Sequence, residues 1–192
     1  MPTLRLMATR HSVFYTPLLA TFAGGFLQEE GLDARYDVVP PGRNVYEFLA
    51  RGEIDVAQSA VSYSWTTLDK GASLPAVNFA HINVRDGFFI AERGSHRDFS
   101  FARLLDGALM YVHGGQPEAM LRYALHRRGV ALDEIRGIDG GGTKAAMQAF
   151  RDGAGEFFHE QGPYPQQLEH EGSARVVAAV GAAIGPVSFS TL

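Results

Sequence analysis

Apolar residues along this chain fall into short runs that alternate with segments repeating every three or four positions. Runs at 4–8, 34–39, 54–58 and 76–80 predict four strands. A second series at 88–91, 109–112, 135–138, 155–158 and 175–180 predicts five more. Helical spacing between them predicts helices over 17–30, 45–51, 62–70, 101–105, 117–128, 144–151 and 164–170. Strands that alternate with helices argue for βαβ units, hence an α/β fold of mainly parallel sheets flanked by helices.

Helix punctuation supports this reading. In "YVHGGQPEAMLRYALHRRG" an apolar run breaks at Gly114 and Gly115, and a helix then starts at Pro117, where a missing N–H costs nothing. Glu118 sits in the first turn, Arg127 and Arg128 in the last, and Gly129 stops the helix. "FYTPLLATFAGGFLQEEGL" repeats the grammar, with Thr16 as cap, Pro17 as start and Gly31 as stop. Segments 45–60 ("VYEFLARGEIDVAQSA") and 146–162 ("AMQAFRDGAGEFFHEQG") also share one order: helix, glycine, short strand, polar loop. The chain therefore divides into two related lobes, 1–86 and 87–186, with 187–192 returning as a strand toward the first. The identity between the lobes is too low for a true repeat.

In open parallel sheets ligands bind beyond the carboxyl ends of the strands, and two such lobes would share a cleft. Those ends carry the candidate site. In the first lobe they are Arg10, His11, Ser12 and Tyr15, then Gln58 and Ser59, then His81. In the second they are His113, Gly115 and Gln116, then Thr143 after three glycines, then His159, Glu160 and Gln161. Glycines 114 and 115 allow close backbone approach, and the following helix start offers N–H groups to an oxygen. Pro117 donates nothing and Glu118 adds negative charge, so a neutral polar or weakly charged ligand group is expected there.

Composition removes other classes. The 192 residues carry a net charge of −4, with Lys70 and Lys144 the two lysines among 17 basic residues, and show no basic block, so no nucleic-acid partner is expected. The chain lacks cysteine, which excludes disulfides, thiolate metal sites and thiol nucleophiles. "GGGTK" is not a phosphate loop, no H-E-x-x-H occurs near His159 or His170, and Ser59 lacks nucleophile-elbow glycines. No metal and no cofactor are expected. The N-terminus shows no apolar signal-peptide core, and the weakly polar run 176–187 is too short to span a bilayer.

Residues 15–60, "YTPLLATFAGGFLQEEGLDARYDVVPPGRNVYEFLARGEIDVAQSA", resemble the nitrate/sulfonate/taurine-type solute-binding proteins and their relatives in thiamine pyrimidine-precursor biosynthesis. "YVHGGQPEAMLRYALHRRGV" and "AMQAFRDG" fit the same family, so the resemblance covers nearly the whole chain. It implies a two-lobed type 2 periplasmic-binding-protein fold with a ligand cleft between the lobes. It implies a cleft that includes His11, Ser12, Gln58, Ser59, Gly115, Gln116 and His159. It also implies a non-enzymatic role: delivery of a polar or aromatic ligand of sulfonate, nitrate or pyrimidine type to an ABC importer permease, in the periplasm. The absence of cysteine disfavours the cysteine-dependent enzymes of that superfamily. The alternative is a cytoplasmic enzyme on the same scaffold, with His159–Glu160 or His11 doing acid–base work. Family members are longer, and "PVSFSTL" is where their chain returns to the first lobe, so the expectation is a C-terminally truncated member that self-associates through an uncovered first lobe.

Overall fold

A computed structural model describes residues 1–94 and 98–192 of the chain. They form two compact units, Met1–Val84 with Ser188–Leu192, and Arg85–Val187. The first unit opens with β1 (Thr3–Ala8), followed by α1 (Thr16–Ala23), α2 (Phe26–Glu29) and β2 (Asp33–Val38). α3 (Val45–Ala50), β3 (Val56–Ala60), α4 (Ser62–Asp69) and β4 (His81–Asn83) follow.

The second unit contains β5 (Phe88–Glu92), β6 (Ala108–Tyr111), α5 (Gly115–His126) and β7 (Arg136–Ile138). It continues through α6 (Thr143–Arg151), β8 (Phe157–Gln161), α7 (Tyr164–His170), β9 (Arg175–Ala179) and α8 (Val180–Ile184). The chain then returns to the first unit as β10 (Ser190–Thr191).

The sheets run β2-β1-β3-β10-β4 and β7-β6-β8-β5-β9. The two-sheet α/β architecture expected from the sequence is present, but the sheets are mixed rather than mainly parallel. β1 pairs in parallel with β2 and β3, and β6 with β7 and β8. β10 runs antiparallel between β3 and β4, and β5 antiparallel between β8 and β9. Both antiparallel insertions, β5 and β10, lie close after a point where the chain passes from one unit to the other. Alternation of strands and helices along the sequence cannot report that reversal.

Four elements depart from the sequence pattern. The helix expected over 101–105 is a 3-10 helix, Phe101–Asp106. The helix expected over 17–30 is broken, because Gly25 takes φ +78° and a Cβ at Gly24 would lie 2.6 Å from the Phe26 ring. The strand expected at 76–80 is displaced to β4. Phe79 N–H and Ala80 N–H donate to the Leu192 carbonyl (2.9 and 3.4 Å), outside the regular ladder. The last run, read as one strand to residue 180, turns at Val180 into α8. There the α8 backbone lies so close to the segment entering β5 that a Cβ on Gly181 would sit 2.3 Å from the Asp86 carbonyl oxygen.

The capping expectations shift as well. Ser12, not Thr16, caps the first helical turn by accepting from Phe14 N–H at 3.2 Å, while Thr16 Oγ1 donates to the Val13 carbonyl. Pro117 is the third residue of α5 rather than its first, which still falls among the positions whose N–H has no partner within the helix.

Burial follows strand alternation. In the first unit Met7, Val45 and Ile54 form a small core under α3, with Leu49 and Ala57 packed on it. In the second, Ala91, Met110 and Phe158 pack with Ala146, Met147, Phe150 and Leu168 of α6 and α7. The opposite side chains, Phe88, Ile90, Leu109 and Phe157, are buried as well. That sheet is covered on both faces, which is why its strands read as continuous apolar runs. Apolar exposure is concentrated on the first unit, where Val77 (82%), Phe79 (66%), Leu68 and Trp65 face solvent.

The Gly181 contact gives a direct test. Gly181→Ala is expected to force a backbone shift and cost about 1–3 kcal/mol in urea unfolding. Ala182→Ser, at the exposed next position, is expected to stay within about 0.5 kcal/mol of the parent chain.

Candidate functional site

In each unit the parallel strands end in polar loops that lead into helices. In the first unit Arg10, His11 and Ser12 follow β1. His11 is exposed, with its ring edge-on to Tyr36 at 6.1 Å. Tyr15 is buried against Phe14. Gln58 is 1% exposed and engaged inside the chain. Its amide oxygen accepts from Thr9 N–H and Oγ1 (3.3 and 3.0 Å), and its amide nitrogen donates to Ser190 Oγ (2.8 Å).

Ser59, the next residue on the strand, points to the other face by alternation. There its buried hydroxyl lacks a hydrogen-bond partner and lines a small cavity of ~50 Å³ with Tyr46, Leu49 and Asn78. His81 opens β4 instead of following a strand, exposed and opposite Thr191. The pleat thus separates Gln58 from Ser59, and the displaced fourth strand gives His81 a ladder position.

In the second unit β6, β7 and β8 lie side by side in parallel around β6 and β8, and each leads into a helix: α5, α6 and α7 respectively. Their three helix starts share one edge of the sheet. His113 is exposed, stacks on Tyr111 at 3.9 Å between ring centroids, and places Nδ1 2.9 Å from the Tyr111 carbonyl and 3.9 Å from Asp139 Oδ1. Gly114 and Gly115 take φ +78° and +63°, values that side chains rarely adopt, so the tight turn into α5 requires both glycines. Gln116 is buried in the first turn of α5, and Thr143 opens α6.

Residues 159–161 are all buried, but the pleat divides them. His159 pairs with Ile90 and Tyr111, and Gln161 with Phe88, while Glu160 pairs with Phe89 and so points to the opposite face. His159 is 1% exposed, stacks on Phe88 at 5.0 Å, and has no hydrogen-bond partner on either ring nitrogen. Burial alone pushes its pKa down to about 3, so it is a neutral imidazole. Adjacent residues of an extended strand cannot share a proton, so His159 and Glu160 do not form the acid–base pair that an enzyme would need.

Sequence reasoning named Glu118 only as a source of negative charge and missed Asp139 and Asp86. Glu118 Oε2 accepts the Gly114 N–H at 2.6 Å, while Oε1 accepts from Arg122 at 3.1 Å. First the Gly114 bond and then Arg122 hold its carboxyl below the usual range. Asp139 Oδ1 accepts the Gly141 N–H at 2.9 Å. An aspartate two residues before a glycine N–H is an Asx-turn signal, and "IDGGG" carried it.

Asp86 is 6% exposed. Its Oδ1 accepts the Phe88 N–H at 2.6 Å, its Oδ2 has no partner, and burial pushes its pKa up to about 7. Asp86 and His159 therefore pull stability in opposite directions with pH. The Asp86 pKa is raised from 3.8, so its contribution is present below that value and is lost as pH rises toward 7. The His159 pKa is lowered from 6.5, so the unfolded chain binds its proton more readily, and stability grows as pH rises from 3 to 6.5. Each group changes the stability by ~1.4 kcal/mol per pH unit within its window. Relative to the parent, Asp86→Asn is expected to gain stability progressively from pH 4.5 to 6, and His159→Phe to lose its relative advantage over the same range. Urea titrations at three pH values read both slopes.

Comparison with known proteins bears on the fold and the family. YtlA of Bacillus subtilis (strain 168), whose name gives it a provisional binding-protein role, is 28% identical over 186 residues, which cover 94% of this chain and 55% of YtlA. The chain thus spans about half the length of that curated relative. The fold matches the periplasmic aliphatic sulphonate binding protein SsuA of Escherichia coli with a TM-score of 0.77 at 16% identity, over 100% of this chain and 65% of SsuA. It matches the periplasmic nitrate-binding protein NrtA of Synechocystis PCC 6803 with a TM-score of 0.66 at 18% identity, over 100% of this chain and 55% of NrtA. The model of one protein family covers residues 13–181, and on that match the chain belongs to the NMT1/THI5-like family.

Proposed function

We propose that this chain binds a small polar or aromatic molecule without transforming it, as the solute-binding component of an ABC importer. The observation that carries the reading is the shared edge of the second sheet, where β6, β7 and β8 each run into a helix start beside His113, Gly115, Gln116 and Thr143. Open α/β sheets bind ligands at such edges. The first unit offers the same kind of edge, with Arg10, His11 and Ser12 beyond β1. Family membership and the fold shared with sulphonate- and nitrate-binding proteins support a transport role over a catalytic one. A periplasmic location and an importer permease as partner belong to the same reading. Among the described residues no helix is long and apolar enough to cross a membrane.

Native mass spectrometry of the purified protein is the first test. It is expected to show a retained small molecule, or one gained from a panel of sulfonates, nitrate, pyrimidines and aromatic acids, that leaves chemically unchanged. A ligand recovered as a different compound would remove the binding role. Two substitutions separate site from scaffold. His113→Ala is expected to weaken binding with little loss of stability, because the side chain is exposed. Gln58→Ala is expected to cost about 1–3 kcal/mol of stability, because it leaves the buried Ser190 and the partly buried Thr9 without their partner.

Self-association through the first unit belongs to the same proposal. Val77, Phe79, Trp65 and Leu68 are exposed there, and large exposed apolar areas mark interaction surfaces. Light scattering is expected to show a mass above 20.9 kDa that falls in Val77→Glu/Phe79→Glu. A monomer at high concentration would remove this part.

A further inference from the structure

The sequence holds Asp–Gly steps at 86–87, 106–107, 139–140 and 152–153. Such a step can rearrange without an enzyme, because a glycine, having no Cβ, lets its own backbone nitrogen approach the carboxyl carbon of the aspartate before it. Whether it does so depends on where the fold holds that carboxyl and how freely the peptide can turn. All of these steps lie in the second unit, and the fold treats them differently.

Asp139 is the open one. Its side chain is 70% exposed, in the loop between β7 and α6. Its Oδ1 accepts the Gly141 N–H at 2.9 Å, which folds the carboxyl forward over the Gly140 peptide. The Gly140 N–H has no hydrogen-bond partner among the described residues. Gly141 takes φ +71°, and at Gly141 and Gly142 nothing lies within 4 Å of where a Cβ would stand. Nucleophile and electrophile are thus neighbours in a stretch with room to turn.

The other steps are held back. Asp86 makes the same turn, with Oδ1 on the Phe88 N–H at 2.6 Å, but it is 6% exposed and its backbone lies against Gly181. Asp106 precedes a buried glycine that packs on Glu156, where a Cβ would come within 2.9 Å of the Glu156 Cβ. Asp152 turns its carboxyl back along α6, accepting from Gln148 Nε2 at 2.9 Å, and the Gly153 N–H donates to the Phe150 carbonyl at 3.1 Å.

We propose that Asp139–Gly140 is a site of spontaneous covalent modification, at which the folded chain converts aspartate to isoaspartate. The Gly140 nitrogen attacks Cγ of the protonated Asp139 carboxyl. The N–Cγ bond forms, and the carboxyl hydroxyl leaves with the amide hydrogen as water. Water then adds to the five-membered imide. Breaking the N–Cγ bond restores aspartate, whereas breaking the bond from nitrogen to the main-chain carbonyl carbon gives isoaspartate. One water leaves and one returns, so the mass is unchanged and no further reactant is needed. The main chain now runs through Cβ and is one carbon longer. Gly140 has no space to take this up, since a Cβ there would lie 2.5 Å from the Ala146 Cβ and 2.9 Å from the Met110 sulfur. The loop that leads to Thr143 must therefore change its path.

The test ages the full chain near neutral pH at body temperature and reads isoaspartate by methyl transfer from a protein-isoaspartate methyltransferase. Trypsin places the Asp–Gly steps in separate peptides, 86–93, 104–122, 137–144 and 152–175. In the native chain peptide 137–144 is expected to gain label several-fold faster than the other three. In guanidinium chloride, where the fold no longer distinguishes them, all four are expected to gain label at similar rates. Asp139→Glu, which cannot close the five-membered ring, is expected to lose the native signal. If that variant does not fold, the comparison of native and unfolded parent decides alone.

A native chain whose peptide 137–144 stays unlabelled, or in which another Asp–Gly peptide ages as fast, would overturn the assignment. The same preference for 137–144 in the unfolded chain would overturn it as well, because the selectivity would then come from local sequence and not from the fold.

Discussion

The amide of Gln58 is the bond on which the first unit's sheet depends. From the interior of the sheet it reaches Thr9, just beyond β1, and Ser190 on β10, so one side chain ties three neighbouring strands at the end where the polar loops begin. β10 contributes only two residues to the ladder, and β4 is held through β10 rather than by β3. A side-chain bond of 2.8 Å between buried partners therefore matters more here than in a sheet of long strands. The geometry of the Arg10–Ser12 loop follows from it, because that loop leaves β1 directly after Thr9.

In the second unit the comparable constraint is β5, paired along its length with both β8 and β9. Its burial on two faces places Phe88 against His159 and leaves Asp86 under α8 with one oxygen unpartnered. Buried polar groups without partners are uncommon, and each costs free energy relative to an apolar substitute. Asp86 and His159 therefore cost this region stability that apolar side chains of the same shape would not.

Much of this was legible in the residues. The apolar runs at 4–8, 34–39 and 109–112 correspond to β1, β2 and β6, because local sequence decides which stretches can be extended and buried. Glycine stops and first-turn prolines located helices to within a few residues for the same local reason. The misses were non-local. A reader of the sequence cannot see that Gly181 must approach the Asp86 carbonyl, so "VVAAVGAAI" reads as strand where a helix begins. At the candidate site the loops were found, but not the direction of their side chains. The parity that separates Gln58 from Ser59 and His159 from Glu160 is set by register, and one residue of slip reverses it. Glu118 was visible as a charge. That its carboxylate would fold back onto the Gly114 N–H required the backbone of the turn.

The order β3-β10-β4 has a consequence for how the protein is made. As the chain leaves the ribosome, the first unit's strands β1 to β4 emerge early, but the gap between β3 and β4 stays open until residues 190–191 are synthesised. All of Arg85–Val187 is made in that interval, and as a contiguous segment it contains every partner it needs for its own sheet. Domains generally fold as units during synthesis, and unpaired strand edges are aggregation-prone while they wait. The later-made unit can therefore finish first, while the earlier-made one waits with the edge of β3 unpaired and Val77 and Phe79 beside it. For this chain the vulnerable moment in biogenesis falls between the appearance of β3 and the arrival of the two residues that close over it.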